Sequence, residues 1–387
     1  MRACYPPPLR HAMHALVLQC GGPTAVVNTS LAALVGRWRA SMPAGVLSGG
    51  HHGLRGLLSA DWRTLTDAGD GWLAALDDTP GMALGGGRDR LSEPDVEHAV
   101  GLLAARGVET LFLIGGNGTM AAGRAIAGCA ARAGVPLRII GVPKTIDNDI
   151  PHTDVCPGFP SAARFVVDAV RDIGADVASM RGYEDVVLIE TMGRHAGWLA
   201  AASALARSDP DDAPHLVLVP EEPCREGPFL SAVRQQHART GLCIVTVAEG
   251  VRDSSGAFFA ERGADAAVER DASGQVIFGR TGGPLPHLSA LVRERLGLRC
   301  RLVRPDLLQR CSRAHVSGLD RRLADMVATA AVDAAVSSQA GDAVMIALRI
   351  VGDRWTTASV PPERVRGERT LSGGLLLDPG PLRHLLA

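Results

Sequence analysis

Short apolar runs alternate with helical stretches along most of this chain, and that alternation limits the fold more than any other feature. The apolar runs are 15–19, 110–114, 137–142, 186–190, 216–219, 242–248 and 343–350. The helical stretches between and after them are 25–40, 119–133, 162–173, 195–206, 231–239 and 319–335. Strands that alternate with helices predict parallel sheets with crossover helices. A chain of 387 residues accommodates two such α/β units.

Composition excludes several classes of partner. The formal net charge is -1 and no long basic run occurs, so neither a nucleic-acid partner nor a membrane surface is predicted. The eight cysteines show no CxxC pair, which predicts reduced and mostly buried thiols. No apolar run is long enough to span a bilayer and no secretory signal is recognisable, so we expect a cytoplasmic protein. We expect residues 1–12 to form a disordered extension, and 253–283 to form surface loops or a β-hairpin.

Three glycine-rich loops carry a signal for phosphate. They are 20–24 (CGGPT), 84–90 (LGGGRDR) and 114–119 (IGGNGT). The first and third follow apolar runs, and open α/β sheets place their ligand crevice at the ends of such strands. Bare glycine backbone can approach a polyphosphate closely, and a following helix directs its amides at an anion. The first loop alone could be only a tight turn, and the second could be a solvated surface turn.

Lys144 is the only lysine in a chain that otherwise uses arginine for its strongly basic side chains. Lysine supplies a compact point charge, whereas arginine supplies a wide planar fork. The segment is Pro-Lys-Thr-Ile-Asp-Asn-Asp, residues 143–149. If it is extended, Asp147 and Asp149 lie on one face, because side chains alternate along an extended backbone. One carboxylate could act as a general base while the other orients a cation.

Further polar segments follow later apolar runs. Residues 192–198 read MGRHAGW, Glu249 directly follows the run 242–248, and Arg301, Arg304 and Arg310 lie within ten residues. Arginines suit the phosphate of a phosphorylated substrate, and a glutamate can accept hydrogen bonds from sugar hydroxyls. Arg301 and Arg304 could also form a solvated strand face, and His195 is interpreted as a helix-start residue. Together with the glycine loops, a carboxylate beside an alcohol implies phosphoryl transfer from a polyphosphate.

Seven short motifs of the chain resemble those of the phosphofructokinase family and occur in the same order as in that family. They are GGPTAVVN, LGGGR, GGNGT, PKTIDND, MGRHAG, AEG and LLQR, and they extend from Gly21 to about Ile350. TIDND followed by MGR is highly specific for that family. The resemblance implies two Rossmann-like three-layer α/β/α domains with parallel sheets and the active site in the cleft between them. We expect a donor-binding domain of 13–160 plus about 309–342, and a sugar-phosphate domain of 161–308 plus about 343–387.

The resemblance assigns roles position by position. Asp147 resembles the general base that deprotonates the sugar 1-hydroxyl, Arg194 resembles the charge stabiliser between donor and acceptor, and Lys144 completes the catalytic candidates. The positions expected to bind fructose 6-phosphate are Thr145, Ile146, Asp149, Met192, Gly193, Glu249, Arg301 and Arg310. The positions expected to bind the donor are Gly22, Arg88, Gly116, Asn117, Gly118 and Thr119. Arg301 is expected to reach a neighbouring subunit, which implies a homo-oligomer, either a dimer or a tetramer.

Three positions depart from the family pattern. Asn117 replaces an aspartate that holds magnesium, so Mg²⁺, the expected cofactor, would gain only one neutral oxygen there. Leu307 stands where relatives place a histidine or tyrosine against the sugar phosphate. Asp185 stands where many ATP-using members place a second arginine that crosses between subunits. Substrate identity is therefore less constrained than the type of reaction.

The residues give opposing indications of the phosphoryl donor. In the resemblance, Gly118 leaves room for the α-phosphate of ATP, whereas pyrophosphate users tend to carry an aspartate. Lys144, GGPTAVVN and MGRHAGW resemble the pyrophosphate-using group. Because a steric block excludes a ligand more strictly than a favourable charge selects one, we predict an ATP-dependent 6-phosphofructokinase. The alternatives are a pyrophosphate-dependent enzyme, a non-catalytic sugar-phosphate sensor suggested by Asn117 and Leu307, and a different glycine-loop kinase, which would leave TIDND and MGR unexplained.

Overall fold

The computed structural model describes residues 13–262, 269–270, 276, 278–373, 375 and 379–386. In these residues the strands are β1 His14–Gln19, β2 Val46–Gly50, β3 Trp62–Thr64, β4 Thr110–Gly115, β5 Arg138–Pro143, β6 Val186–Thr191, β7 Leu216–Leu218, β8 Cys243–Ala248, β9 Cys300–Val303, β10 Ala343–Val351 and β11 Arg354–Val360. The helices are α1 Val27–Ser41, α2 Leu54–Ser59, α3 Asp70–Asp77, α4 Glu93–Ala105, α5 Asn117–Arg132, α6 Phe159–Ser179, α7 Trp198–Ser203, α8 Glu226–Thr240, α9 Phe278–Thr281, α10 Leu285–Leu296, α11 Leu308–Cys311 and α12 Gly318–Ser337.

The first of two compact units comprises residues 13–22, 27–143 and 324–365. Its sheet has the order β11-β10-β5-β4-β1-β2-β3, in which only the outer pairs β10–β11 and β2–β3 are antiparallel. Buried aliphatic side chains of β1, β4 and β5 pack with those of α2, α4 and α5 in one core. The start of α4 is specified locally, because Ser92 and Asp95 form a reciprocal capping box.

The second unit comprises residues 23–26, 144–323 and 366–386, and its sheet has the parallel order β7-β8-β6-β9. Every residue of β6 and β8 is buried, as expected of central strands covered on both faces. The expected α/β fold with parallel sheets in two units is therefore confirmed. The expected extension 1–12 lies outside the described residues, as does part of 253–283. Around that segment, Arg252 pairs with Phe258, and within it Arg270 pairs with Val276, in isolated antiparallel bridges.

The units divide the chain differently from the expected boundaries. The sequence analysis assigns 343–387 to the second domain, but β10 pairs in parallel with β5, which places β10 and β11 in the first sheet. Residues 23–26 already belong to the second unit. The next crossing into that unit falls before Lys144, about 17 residues earlier than expected, and a later crossing falls inside α12. Strand pairing decides this assignment, and it depends on contacts about 200 residues apart in sequence.

Some local boundaries also differ from expectation. The helix expected from His195 begins at Trp198, so His195 lies in the preceding loop. Seven of the eight cysteines lie in the described residues, and all seven are free thiols, of which five are buried. No helix in the described part of the chain is long and apolar enough to cross a membrane.

Candidate active site

Two of the donor-side loops lie next to each other in the first unit. Strands β1 and β4 are neighbours in parallel register, so the loops that follow them meet at the same sheet edge. The Cys20 amide donates to the Ile114 carbonyl at 2.9 Å, and the Gly21 amide donates to the Gly87 carbonyl at 2.8 Å. These bonds bring the three glycine loops, and with them Gly22, Gly116 and the backbone of Arg88, to one region of the unit.

The glycines of the second loop are needed for close packing. A Cβ on Gly86 would lie 2.9 Å from the Gly21 carbonyl oxygen, and one on Gly87 would lie 3.0 Å from the His52 carbonyl oxygen. Both contacts are with backbone that cannot move aside easily. Arg88 itself is exposed. The loop therefore combines a closely packed backbone with an exposed guanidinium that can reach an anionic ligand.

Two buried amide side chains behind this loop were not identified from sequence. Gln19 ends β1, and its Oε1 accepts from the Leu84 amide at 3.0 Å. Its Nε2 donates to Asn28 Oδ1 at 3.1 Å, and Asn28 Oδ1 also accepts from the Ala83 amide at 2.9 Å. Both side chains are buried, so the loop at 83–84 is held by satisfied polar groups in the core. A glutamine that ends an apolar strand was the available signal.

The third loop leads into the N-terminus of α5. Asn117 and Gly118 are the first two residues of that 16-residue helix, and Thr119 is buried. Amides in a first helical turn and the helix dipole favour an anion at this position. A Cβ built on Gly118 would meet no atom within 4 Å. The packing of the chain therefore does not require glycine at 118.

The lysine loop begins the long segment 144–323 of the second unit. Along 144–150 the side chains alternate, with Lys144, Ile146, Asn148 and Ile150 buried and Thr145, Asp147 and Asp149 half-buried. Asp147 and Asp149 therefore share the more accessible side, as expected. The Asp147 amide donates to Thr145 Oγ1 at 3.1 Å, which shapes the turn at the candidate base. Lys144 is only 3% exposed, so its ammonium is enclosed by protein.

Asn148 and Arg369 hold this loop, and neither was identified from sequence. Asn148 has φ 53°, a left-handed value that asparagine tolerates, and its Oδ1 accepts from the Cys156 amide at 2.9 Å. The Arg369 amide donates to the Asp149 carbonyl at 2.6 Å. The Arg369 guanidinium stacks 4.2 Å above the Trp198 ring centroid and donates to the Thr153 carbonyl at 2.6 Å. These contacts fix the backbone that follows Asp147.

Asp320 joins the start of α6 to the start of α12. Its carboxylate accepts from the amides of Gly158 at 2.8 Å and Ser161 at 3.1 Å, and from Ser161 Oγ at 2.5 Å. Gly158 forms a bridge with Thr145, so this cap lies directly behind the lysine loop. Burial raises the pKa of Asp320 to about 6, and the hydrogen bonds from Ser161 and Gly158 act in the opposite direction.

The loops after β6 and β8 bring the next candidates together. These strands are parallel neighbours, and the Glu249 amide donates to the Thr191 carbonyl at 2.8 Å. A Cβ on Gly250 would lie 1.9 Å from the Arg194 carbonyl oxygen, so only glycine allows this approach. Gly193 has φ 130°, which also favours glycine. Met192, Gly193, Arg194 and Glu249 therefore lie at one edge of the second sheet.

Gln309 positions Met192 and was not identified from sequence. Its buried Oε1 accepts from the Met192 amide at 2.9 Å, which places α11 beside the loop after β6. Arg310 follows in α11 and is half-buried, whereas Leu307 is 61% exposed. The LLQR segment therefore supplies a structural glutamine beside its candidate phosphate-binding arginine.

The arginines expected to cluster have separate carboxylate partners. Arg301, on β9, donates to Glu184 Oε1 at 2.6 and 2.9 Å, and its side chain is exposed. Arg304 donates through Nε to Glu190 Oε1 at 2.9 Å. Asp185, a departure from the family pattern, forms a two-pronged ion pair with Arg299. That hydrogen bonding holds the pKa of Asp185 well below its usual range.

The metal candidate has little support from protein ligands. Among the described residues, no group of three or more His, Cys, Asp and Glu side chains could hold a metal ion. Asn117 contributes one neutral amide oxygen at most. Mg²⁺ commonly takes few protein ligands and completes its shell with waters and substrate phosphates. The described residues therefore fit a Mg²⁺ ion that binds together with the phosphoryl donor better than a Mg²⁺ ion held by the protein alone.

Comparison with known proteins matches the chain to one family over most of its length. The family model described as Phosphofructokinase matches residues 14–335. A pyrophosphate–fructose 6-phosphate 1-phosphotransferase of Xanthomonas campestris pv. campestris (strain B100) is 38% identical over 359 residues, 90% of this chain and 83% of its own. An ATP-dependent 6-phosphofructokinase 3 of Streptomyces coelicolor is 32% identical over 340 residues, 86% of this chain and 90% of its own.

A solved structure shares the fold. The crystal structure of a pyrophosphate-dependent phosphofructokinase from Nitrosospira multiformis superposes with a TM-score of 0.82 at 31% identity, covering 94% of this chain and 87% of that one. Relatives that use pyrophosphate and relatives that use ATP therefore both align over most of the chain, and the relative with the higher identity of the two compared uses pyrophosphate.

Proposed function

Because the chain belongs to the phosphofructokinase family, we propose that it transfers a phosphoryl group from pyrophosphate to the 1-hydroxyl of fructose 6-phosphate. The observation that carries the proposal is Lys144, which is only 3% exposed and lies in the same loop as the carboxylates of Asp147 and Asp149. Lysine supplies a compact point charge that suits phosphate, and a short inorganic donor supplies dense negative charge for it to meet. Fructose 1,6-bisphosphate would be the product.

This proposal changes the donor from the ATP expected from Gly118. The expectation treated glycine at 118 as a sign of ATP because it leaves space. Open space surrounds a Cβ at this position, so glycine there permits a nucleotide without requiring one. The relative of higher identity and the superposed structure are both described as pyrophosphate-dependent. The similarity and Lys144 therefore support pyrophosphate more strongly than Gly118 supports ATP.

The candidate residues divide the chemistry between donor and acceptor. Asp147 would accept the proton of the sugar 1-hydroxyl, which makes that oxygen a better nucleophile. Arg194 and Lys144 would neutralise charge on the transferring phosphoryl group, where positioning and charge supply most of the catalysis. The donor would be held by Gly22, Arg88, Gly116, Asn117, Gly118 and Thr119. The sugar phosphate would be held by Thr145, Ile146, Asp149, Met192, Gly193, Glu249, Arg301 and Arg310.

Mg²⁺ is part of the proposal as a partner of the donor. Bound Mg²⁺ would neutralise donor oxygens, with Asn117 as its one candidate protein contact. We expect turnover to depend on the concentration of the Mg²⁺–pyrophosphate complex, because the chain has no carboxylate at position 117 to bind Mg²⁺ by itself.

The test is formation of fructose 1,6-bisphosphate by purified protein with fructose 6-phosphate and Mg²⁺, with pyrophosphate and ATP in parallel. Asp147→Asn protein purified in the same way is the control for contaminating host enzyme. Turnover with pyrophosphate that Asp147→Asn abolishes supports the proposal. Turnover with ATP alone rejects the proposed donor. Tight binding of fructose 6-phosphate without product would favour the sensor alternative.

ATP is the second candidate donor, on a specific observation. Gly118 is exposed at the N-terminus of α5, and the space around it would admit a nucleotide α-phosphate. The relative from Streptomyces coelicolor, described as ATP-dependent, also aligns over most of the chain. The parallel assays above distinguish the two donors directly.

A homo-oligomer is proposed from Arg301. Its side chain is exposed on β9, an edge strand of the second sheet, and it ion-pairs with Glu184 of its own chain. We expect that pair to be exchanged for the sugar phosphate bound by a neighbouring subunit. Sedimentation velocity would show whether the protein is a dimer or a tetramer, and a monomer that turns over at full rate would reject this role.

A further inference from the structure

Glu190 is a buried carboxylate to which the proposed mechanism gives no role. It lies on β6, two residues before Met192, and only 5% of it is exposed. Arg304 Nε donates to Glu190 Oε1 at 2.9 Å, while Glu190 Oε2 has no hydrogen-bond partner among the described residues. Burial raises the pKa of Glu190 to about 7, and the charge of Arg304 opposes that rise. Burying this pair brings little net stability by itself, which suggests another reason for its presence.

Arg304 extends the contact to Phe278. Its second guanidinium nitrogen donates to the Phe278 carbonyl at 3.2 Å, so one arginine joins β6 to the start of α9. Gly283, at the other end of that segment, packs against the same carboxylate. A Cβ on Gly283 would lie 1.9 Å from Glu190 Oε2. Glu190 therefore fixes the segment 278–283 through Arg304 on one side and by direct packing on the other.

The ring of Phe278 contacts Arg194, the candidate charge stabiliser. The Arg194 guanidinium carbon lies 4.6 Å from the centroid of the Phe278 ring, within the range of a cation–π contact. The ring is buried, and Phe258 supports it edge-on at a centroid distance of 5.1 Å and an interplanar angle of 75°. The ring thus presents a fixed face on which the long and flexible Arg194 side chain can rest.

We propose that Glu190 is a positioning residue for Arg194, acting through Arg304 and Phe278. The proposal rests on the proposed function, in which Arg194 stabilises the transferring phosphoryl group. A planar guanidinium must be held in one orientation to match developing charge, and small displacements of a catalytic group lower the rate steeply. Glu190 and Arg304 touch neither substrate in this scheme, so their effect is on turnover rather than on substrate binding.

Three substitutions separate positioning from folding. Glu190→Gln keeps the shape and one acceptor for Arg304 but removes the charge. Arg304→Lys keeps a cation beside Glu190, but one ammonium lacks the fork needed to reach both Glu190 and the Phe278 carbonyl. Phe278→Leu keeps an apolar side chain and removes the ring. We expect each to lower kcat about 10-fold while the KM values for fructose 6-phosphate and pyrophosphate change less than about 2-fold.

The ion pair of Asp185 and Arg299 supplies matched controls. It joins the residue before β6 to the residue before β9, with two nitrogen–oxygen distances of 2.9 Å. We expect Asp185→Asn and Arg299→Lys to leave kcat within about 2-fold of the unsubstituted enzyme, because within the described part of the chain the ion pair and its hydrogen bonds do not involve the segment 278–283. If these controls lower kcat as much as Glu190→Gln does, the effect is general loosening and the proposal is rejected.

A spectroscopic readout keeps the inference testable without activity. The Nε–Hε resonance of Arg194, assigned by its loss in Arg194→Lys, should carry an upfield ring-current shift from Phe278. We expect this shift to vanish in Phe278→Leu and to shrink in Glu190→Gln and Arg304→Lys. An unchanged shift in both of the latter rejects positioning by Glu190. If the unsubstituted protein lacks turnover with fructose 6-phosphate, the proposed function fails, while the resonance still decides whether Glu190 orients Arg194.

Discussion

At the scale of the residue, the loop at 144–149 combines reactive groups with a backbone that neighbouring side chains hold in place. Lys144 and Asp147 are the candidates for chemistry, whereas Asn148 supplies a left-handed turn and a hydrogen bond to the Cys156 amide. The reactive residues were recognisable from sequence because residue type and motif are local properties. The residues that hold them were not, because their roles depend on partners distant in the chain.

Asp147→Asn should lower kcat by about 10²- to 10⁴-fold, because the amide keeps the shape of the side chain but cannot accept the proton. The KM for fructose 6-phosphate should change little. Initial-rate kinetics with pyrophosphate measure both quantities. Unchanged turnover would show that another group acts as the base.

Asn148→Ala should destabilise the protein more than Asn148→Gly. Both leave the buried Cys156 amide without its acceptor, at a cost of about 1–3 kcal/mol. Alanine adds about 1 kcal/mol because it disfavours the left-handed φ of 53° that glycine adopts freely. Urea unfolding of the two variants measures the difference in the free energy of unfolding. Equal losses would mean that backbone strain has no part in the role of Asn148.

Gly118→Asp should fold normally and keep turnover with pyrophosphate, because a Cβ at 118 meets open space. Any turnover with ATP should fall by about 10-fold or more, since the added carboxylate repels the α-phosphate. The ratio of kcat/KM for the two donors measures the effect. A fall in pyrophosphate turnover as large as the fall with ATP would place Gly118 against the shared phosphates.

At the scale of the element, the start of α6 shows how a helix terminus supports the loop before it. Four amides at a helix N-terminus lack partners within the helix, and Asp320 accepts from two residues of this terminus, Gly158 and Ser161. The sequence pattern predicts this helix from residue 162, whereas it begins at Phe159, after a glycine N-cap and with a proline in its first turn. The distant aspartate could not be paired with it, because it lies about 160 residues later.

Asp320→Asn should lower the free energy of unfolding by about 1–3 kcal/mol, because its amide group would face backbone donors. The folded-state pKa, raised to about 6, means that the contribution of this aspartate to stability falls as pH rises from about 4 to about 6. The stability gap between the native protein and the variant should therefore be larger at pH 4 than at pH 7. Urea unfolding at both pH values tests this sign, and a gap that widens toward pH 7 would contradict it.

At the scale of the whole molecule, neither compact unit is a continuous segment of chain. The first unit needs residues 324–365 to complete it, since β10 pairs with β5 and α12 contributes Asp333, which ion-pairs with Arg37 on α1. The ranges expected from sequence made each unit discontinuous as well, but they placed β10 in the other one. A strand that follows a long helix can join either sheet, and local pattern does not distinguish them.

A fragment of residues 13–143 should therefore fail to fold cooperatively. Without β10, β5 becomes an exposed edge strand, and edges of this kind favour aggregation. Size-exclusion chromatography and urea unfolding followed by circular dichroism would test this. A soluble monomer with a single sharp transition would show that β10 and α12 are dispensable for the first unit.

Local sequence determined most of the elements, the glycine loops and the family to which the chain belongs. Apolar periodicity, turn residues and short motifs act over a few residues, so they can be recognised without the fold. Tertiary structure alone decided that β10 lies beside β5, that Asp320 caps α6, and that Arg304 meets Glu190. Each of these depends on a long-range pairing in which one of many chemically equivalent strands, carboxylates or guanidinium groups is selected by packing. That selection is a property of the folded chain, because only folding brings the partners within hydrogen-bonding distance.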